Sequence, residues 1–294
     1  MSLKHRTYAD LTGADSSRMV EQVTAQHARV ADRLAGVKAC VAVMSGKGGV
    51  GKSLTTAALA AACAGRGLAV GLLDADLVGP SAARMSGIAA TGLTVDENGV
   101  DPATSPAGVR VMSMELLLEE GAPLAWRGPD SESFVWRGAQ ERSALREFLA
   151  DVRWGDLDLL LVDLPPGTQR LIDLAELLPQ IDGLIVVTIP SAASESAVGR
   201  SMKLAQKRGI PILGIVENMA GYACADCGEI RQLFPGNAGD QLAGTHDAPL
   251  LGRIPFDPDA AGHANMGELG DLMSHTLAGA AIDVVAQRLI EAIA

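Results

Sequence analysis

The chain has 294 residues, 48% of them hydrophobic but only 3% aromatic, and a formal net charge of -11. That length suffices for one large domain or two small ones, with a mostly aliphatic core. The acidic balance argues against non-specific binding to nucleic acid or to an anionic membrane, and still permits a local basic site for phosphates.

Residues 1–14 read as a loose tail without the apolar run of a signal peptide. The chain has no stretch of about 18 apolar residues that would span a membrane. Four cysteines in a chain of this size suggest no disulfide framework, so a cytoplasmic protein with reduced thiols is expected. From Ser16, apolar residues recur at roughly helical spacing (Met19, Val20, Val23, Val30, Leu34), with Gly36 as a stop. Residues 1–36 are thus expected as tail and helix, and 37–294 as the main domain. "KACVAVMS" reads as a buried strand, and similar runs recur at 68–74, 109–114, 157–163, 183–190, 210–218 and 250–255. Helical stretches at 52–65, 139–150, 194–208 and 276–293 lie between or after them. Continuous apolar strands alternating with helices predict an α/β fold, a mainly parallel sheet with helices on both faces. "WRGPDSESFV" (126–135) and "WRGAQERSAL" (136–145) form a local repeat. It reads as a small duplication in a loop before a helix, or as a partner-facing surface built on Trp126 and Trp136.

"SGKGGVGKS" fits G-x-x-x-x-G-K-[ST] from Gly46, with a strand before it and a helix after it. Gly46, Gly48, Gly49 and Gly51, with Val50, let successive backbone N–H groups turn toward phosphate oxygens. The following helix adds its positive end. Lys52 would reach the β- and γ-phosphates of ATP, and Ser53 would offer its hydroxyl to Mg²⁺. "LLDADLVGPS" places Asp74 and Asp76 just after a strand, and "LLLVDLPPGT" ends another strand at Asp163. A hydrophobic strand ending in Asp is the Walker B arrangement. In an open α/β sheet these carboxylates lie at the strand ends that face the phosphate loop. Asp76 is the candidate for positioning the attacking water, and Asp74 for supporting the magnesium shell.

Cys224 and Cys227 lie two residues apart in "GYACADCGE". Two thiols so spaced can be half of a metal site, a redox pair or incidental surface groups. Structural zinc usually takes four protein ligands, and the nearest histidine, His246, is well away in sequence. A redox pair would sit at a helix N-terminus, and "GEIRQLFPGN" contains no clear helix. Cys40 and Cys63 read as small buried hydrophobes.

Lys47, directly after the first glycine, resembles the second lysine in the deviant Walker A loop of MinD/ParA-type ATPases and the nitrogenase iron protein. That resemblance implies a homodimer in which Lys47 reaches the partner's nucleotide. "SGKGGVGKS", "LLDADLVGPS", "WRG" before a helix, "DVRWGDLDLLLVDLPPGT", "GIVENMAGYACADCG" and "LLGRIPFDP" occur in the order seen in the Mrp/ApbC family of iron–sulfur cluster carrier ATPases. The similarity spans roughly residues 37 to 270. It implies a P-loop NTPase fold, ATP binding and hydrolysis, a homodimer, and a labile [4Fe–4S] cluster passed to apo iron–sulfur proteins, with neither nucleic acid nor membrane as a partner. Lys47, Lys52, Ser53, Asp76 and Asp163 match the family's nucleotide machinery, with Gly167 in the second switch. Asn218 matches a position that contacts adenine, and Cys224 and Cys227 match the cluster ligands. A [4Fe–4S] cluster takes four thiolates, and a twofold axis would bring two such pairs together. The chain departs from the pattern at Leu54, where Thr is usual, and at Gln169 and Arg170, where Gly-Asp is common. "IPSAASESAVGR" lacks the usual Gln after the proline, and the tandem "WRG" is an insertion. Other functions compatible with the sequence are a MinD/ParA-like switch without a cluster and a zinc-bound ATP-binding scaffold.

Overall fold

The computed structural model describes residues 19–88, 93–117, 133–178, 180–224 and 227–294. Helix α1 (Met19–Leu34) leads into strand β1 (Cys40–Ser45), and the glycine-rich loop follows, then α2 (Lys52–Gly65). Next come β2 (Val70–Asp74), α3 (Ala82–Met85), β3 (Val95–Asp96), β4 (Gly99–Val100), β5 (Ala103–Thr104) and β6 (Arg110–Met112). The middle of the chain forms α4 (Ser133–Asp151), β7 (Leu159–Asp163), α5 (Gln169–Leu177), β8 (Gly183–Thr188) and α6 (Ala192–Lys207). It closes with β9 (Ile212–Ala223), β10 (Ile230–Arg231), α7 (Ala238–His246), β11 (Leu250–Phe256), α8 (Pro258–Met266), α9 (Leu269–His275) and α10 (Leu277–Ile293).

The main sheet runs β5-β6-β2-β7-β1-β8-β9-β11, with β10 on the far end of β9. Strands β5 and β10 pair antiparallel, and the other pairs of this sheet are parallel. β1 lies in the middle, flanked by β7 and β8, both distant in sequence. Side chains alternate between the two faces of a strand. Val41, Val43, Leu159 and Leu161 therefore join one apolar layer, with α2 and α10. Ala42, Met44, Leu160 and Val162 join the other, with α1, α4, α5 and α6. Burial on both faces is why these strands read as continuous apolar runs. The predicted α/β architecture is the one observed.

Several boundaries differ from the sequence reading. Helix α4 begins at Ser133 and includes the second WRG (Trp136–Gly138), which therefore does not lie in a loop before the helix. A single internal glycine is tolerated there, at about 1 kcal/mol relative to alanine. The first WRG, with Trp126, and the tail 1–14 fall outside the described residues. Strand β9 continues to Ala223, beyond the expected end at 218, because β11 and β10 pair with its polar, glycine-containing second half.

Candidate nucleotide and cysteine sites

The chain leaves β1 at Ser45 and turns through residues 46–51 into α2. Gly51 holds φ +76°, a region where L side chains are strained. A Cβ there would also lie 2.2 Å from Asn218 Nδ2, and one on Gly46 would lie 2.7 Å from the Ala197 side chain. Asn218 Nδ2 donates to Val50 O at 2.8 Å, so β9 braces the loop from the side. No side chain caps α2. Its first N–H groups form an anion-binding end beside exposed Gly48 and Gly49.

Behind the loop, Lys52 Nζ lies 2.6 Å from Asp163 Oδ1, with both side chains buried. Ser53 Oγ donates to Asp163 Oδ2 at 2.6 Å, and Thr56 Oγ1 to Oδ1 at 2.7 Å. Thr56 escaped the sequence reading. Its i+4 spacing from Lys52, which puts both on one helix face, was the available signal. Asp74 stands in register with Asp163 on the adjacent strand. Its carboxylate accepts hydrogen bonds from the N–H groups of Asp76, Ser81 and Ala82 and from Ser113 Oγ. Burial first, then the nearby Asp163 charge, push the Asp74 pKa up to about 6 against those backbone donors. The oxygens of Ser53, Asp163 and Asp74 form a hard donor set of the kind Mg²⁺ takes.

Asp76 lies two residues beyond Asp74 in the loop after β2, where Oδ1 accepts from the Gly79 N–H at 3.1 Å. With Pro165, Pro166, Leu145 and Arg170 it lines a cavity of about 390 Å³. Pro166 in turn lies beside Gly48, 4.0 Å from where a Cβ would be. Lys47 is partly exposed and makes no ion pair among the described residues; Ser45 Oγ donates to its carbonyl. Arg170 Nη2 reaches Glu141 Oε2 at 2.5 Å, and Gln169 Nε2 donates to Asp173 Oδ1 at 3.3 Å. These two unusual residues therefore fasten the segment after Asp163 to α4 and within α5. Leu54 lines an apolar cavity of about 230 Å³ with Gly51, Asn218, Met219, Pro255 and Phe256. The neighbouring Thr55 hydroxyl donates back into the helix turn, to Gly51 O at 2.9 Å.

The cysteine pair occupies the turn between β9 and β10. Cys224 N–H donates to Glu229 O at 3.0 Å, and Gly228 N–H to Cys224 O at 2.8 Å, with Gly228 at φ +68°. Cys224 is half-buried and Cys227 exposed. Residues 225 and 226 lie outside the described residues. Among the described residues no third His, Cys, Asp or Glu joins the pair in a metal-sized group. His246 is buried at the end of α7, its Nδ1 3.4 Å from Gln206 Oε1, and burial lowers its pKa. Cys40 and Cys63 are buried, and desolvation pushes both thiols up to about 12.

A family model described as ParA, the NUBPL iron-transfer P-loop NTPases, matches residues 36–135 and 130–290. The chain belongs to this family. An iron-sulfur cluster carrier protein from Saccharolobus solfataricus is 39% identical over 255 residues, which cover 86% of this chain and 83% of the relative. The human cytosolic Fe-S cluster assembly factor NUBP2 is 40% identical over 230 residues, covering 76% and 82%. Among solved structures, a nucleotide-binding protein from Archaeoglobus fulgidus in complex with ADP, with cobalt, superposes with a TM-score of 0.70 at 33% identity. That match covers 83% of this chain and 92% of the other. The septum site-determining protein MinD from Pyrococcus horikoshii, complexed with Mg-ADP, gives 0.58 at 20% identity over 85% and 94%, a likeness of fold. No helix among the described residues is long and apolar enough to cross a membrane.

Proposed function

We infer that this NUBPL-type P-loop NTPase is a cytoplasmic ATPase that carries an iron–sulfur cluster as cargo. Residues 37–294 form its working domain, and the cargo passes to apo iron–sulfur proteins. The observation that carries the reading is the position of Cys224 and Cys227. Both thiols stand on a solvent-facing hairpin, at the end of the same strand whose Asn218 braces the phosphate loop. Nucleotide site and thiol pair thus share one strand.

The nucleotide site fits ATP with Mg²⁺. The uncapped end of α2 and the backbone of residues 46–51 suit the phosphates. The cavity walled by Leu54, Met219 and Phe256 suits a base. Ser53, Asp163 and Asp74 suit the cation, which would supply charge neutralisation at the phosphates. Lys52 changes partner from Asp163 to phosphate oxygens, and Asp76 orients water at the cavity by Pro166. Lys47, with no ion pair of its own among the described residues, is available to a neighbouring subunit.

The cargo is a [4Fe–4S] cluster held between two copies of the chain. One copy offers two thiolates with no further ligand beside them among the described residues, and such a cluster takes four. Anaerobic reconstitution with iron and sulfide tests this. Cys224→Ala and Cys227→Ala should each abolish cluster uptake and leave ATP binding intact. A full cluster in either variant, or zinc as the metal in protein purified without oxygen, overturns the cargo assignment.

A further inference from the structure

Strand β9 runs from the cavity beside the phosphate loop to the cysteine turn. Its middle, at Asn218 and Met219, walls the apolar cavity beside the phosphate loop. Its end, at Ala223, pairs with Ile230 and delivers the chain into the Cys224 turn. Between these points the strand is irregular. Asn218 pairs with Ile254, and Tyr222 pairs with Phe256. β9 therefore advances four residues while β11 advances two. The extra residues form a bulge, and Met219 within it holds φ +53°, in the left-handed region. Bulges and left-handed non-glycine residues concentrate next to functional sites, where they redirect a strand.

One side-chain contact closes the far end of the bulge, between the register partners Tyr222 and Phe256. The rings of Tyr222 and Phe256 lie 6.4 Å apart, centroid to centroid, with 21° between their planes. Phe256 also lines the cavity with Gly51, Leu54 and Asn218. Tyr222 does not line it; its backbone pairs with Arg231 of β10, the strand that closes the cysteine turn. The hairpin sits tight on this part of β9, since a Cβ on Gly221 would lie 2.5 Å from the Ile230 side chain and 2.9 Å from Arg231 O. Phe256 is exposed and Tyr222 half-buried; their ring contact links the cavity wall to the stretch of β9 that pairs with β10 and leads into the cysteine turn.

We propose that the Tyr222–Phe256 ring pair, acting across the Met219 bulge, couples nucleotide occupancy of the cavity to the geometry of the Cys224–Cys227 turn. Tyr222 is a positioning residue in this scheme: it touches neither nucleotide nor cargo. The proposal deepens the carrier reading by naming the route through which nucleotide regulates the cargo thiols, but its test needs no cluster.

The experiment is alkylation of the reduced, cluster-free protein by iodoacetamide, with rates read by mass spectrometry at Cys224 and Cys227. Buried Cys40 and Cys63 serve as internal controls. Rates are compared with and without saturating Mg·ADP, with oligomeric state matched by light scattering. Wild-type protein should show a nucleotide-dependent change of about fivefold or more, the low end for coupling between distinct sites. Tyr222→Leu should bring that ratio close to one while ADP affinity stays at the wild-type value. Tyr222→Phe, which keeps the ring, should restore the ratio. Phe256→Leu, measured at saturating ADP, should lose it as well. A wild-type ratio of one, or an undiminished ratio in both leucine variants, overturns the proposal. A lost ratio in the leucine variants together with failed cluster reconstitution keeps the coupling and removes the cargo reading.

Discussion

Lys52 and Asp163 are joined by a buried ion pair, Nζ to Oδ1 at 2.6 Å, at the base of the phosphate loop. Removing one partner of such a pair strands the other charge away from water, which costs about 3–5 kcal/mol. Ser53 and Thr56 still donate to Asp163 and soften that loss. Lys52→Ala should therefore lower stability in urea unfolding by about 3 kcal/mol and also abolish ATP binding. A variant with unchanged stability would show that the ion pair contributes nothing to the fold.

The Asp74 carboxyl gives a pH dependence of definite sign. Its pKa in the folded chain is about 6, against 3.8 for the ordinary group, because it is buried and faces Asp163. The folded state thus binds the proton more tightly than the unfolded chain. Its contribution is neutral below about pH 4, and destabilisation grows as pH rises through 6, reaching about 3 kcal/mol. Asp74→Asn, measured without magnesium, should raise the melting temperature at pH 7.5 and have little effect at pH 4. Equal effects at both pH values would contradict the shift.

Gly51→Ala should damage the loop twice. The left-handed backbone costs a side chain about 1–2 kcal/mol, and the new methyl would strike Asn218 Nδ2. Calorimetric titration with ADP is expected to show at least tenfold weaker binding, alongside a lower melting temperature. Gly49→Ala keeps the positive φ but meets nothing within 4 Å, so it should cost only the backbone term.

Arg170 holds the segment after Asp163 against α4 through Glu141, whose side chain is 9% exposed. Arg170→Ala leaves that carboxylate poorly compensated, at about 1–3 kcal/mol. Hydrogen exchange should rise across residues 164–173 in this variant more than elsewhere. Uniform exchange across the chain would mean that the contact does not anchor the segment.

Strands β1, β2, β7 and β8 were legible to within about two residues, since burial on both faces writes them as uninterrupted aliphatic runs. Helices α5, α7, α8 and α9 were not singled out: each is nine residues or shorter, and small residues blur their periodicity. The two-residue strands β5 and β10 exist only because neighbours pair with them, which no local pattern records. At the site, the loop and the three carboxylates were readable because spacing and chemistry coincide. The place of Phe256 in the apolar cavity was not, since it depends on β11 lying next to β9, a relation between distant segments. Arg170 departs from the family pattern, and its partner Glu141 lies 29 residues earlier on α4, a pairing that local spacing does not record.

The central place of β1 also bears on how the chain is made. The strand that carries the phosphate loop emerges early in synthesis, but both of its partners, β7 and β8, come much later. Until residue 163 has left the ribosome β1 has two open edges, and one of them stays open until residue 188, with an aliphatic face on each side. Non-local parallel pairing is slow to form, and unpaired apolar strands aggregate. A nascent chain of this architecture depends on protection through about half of its translation, from β1 to β8, and truncations that end before β8 should accumulate as insoluble protein.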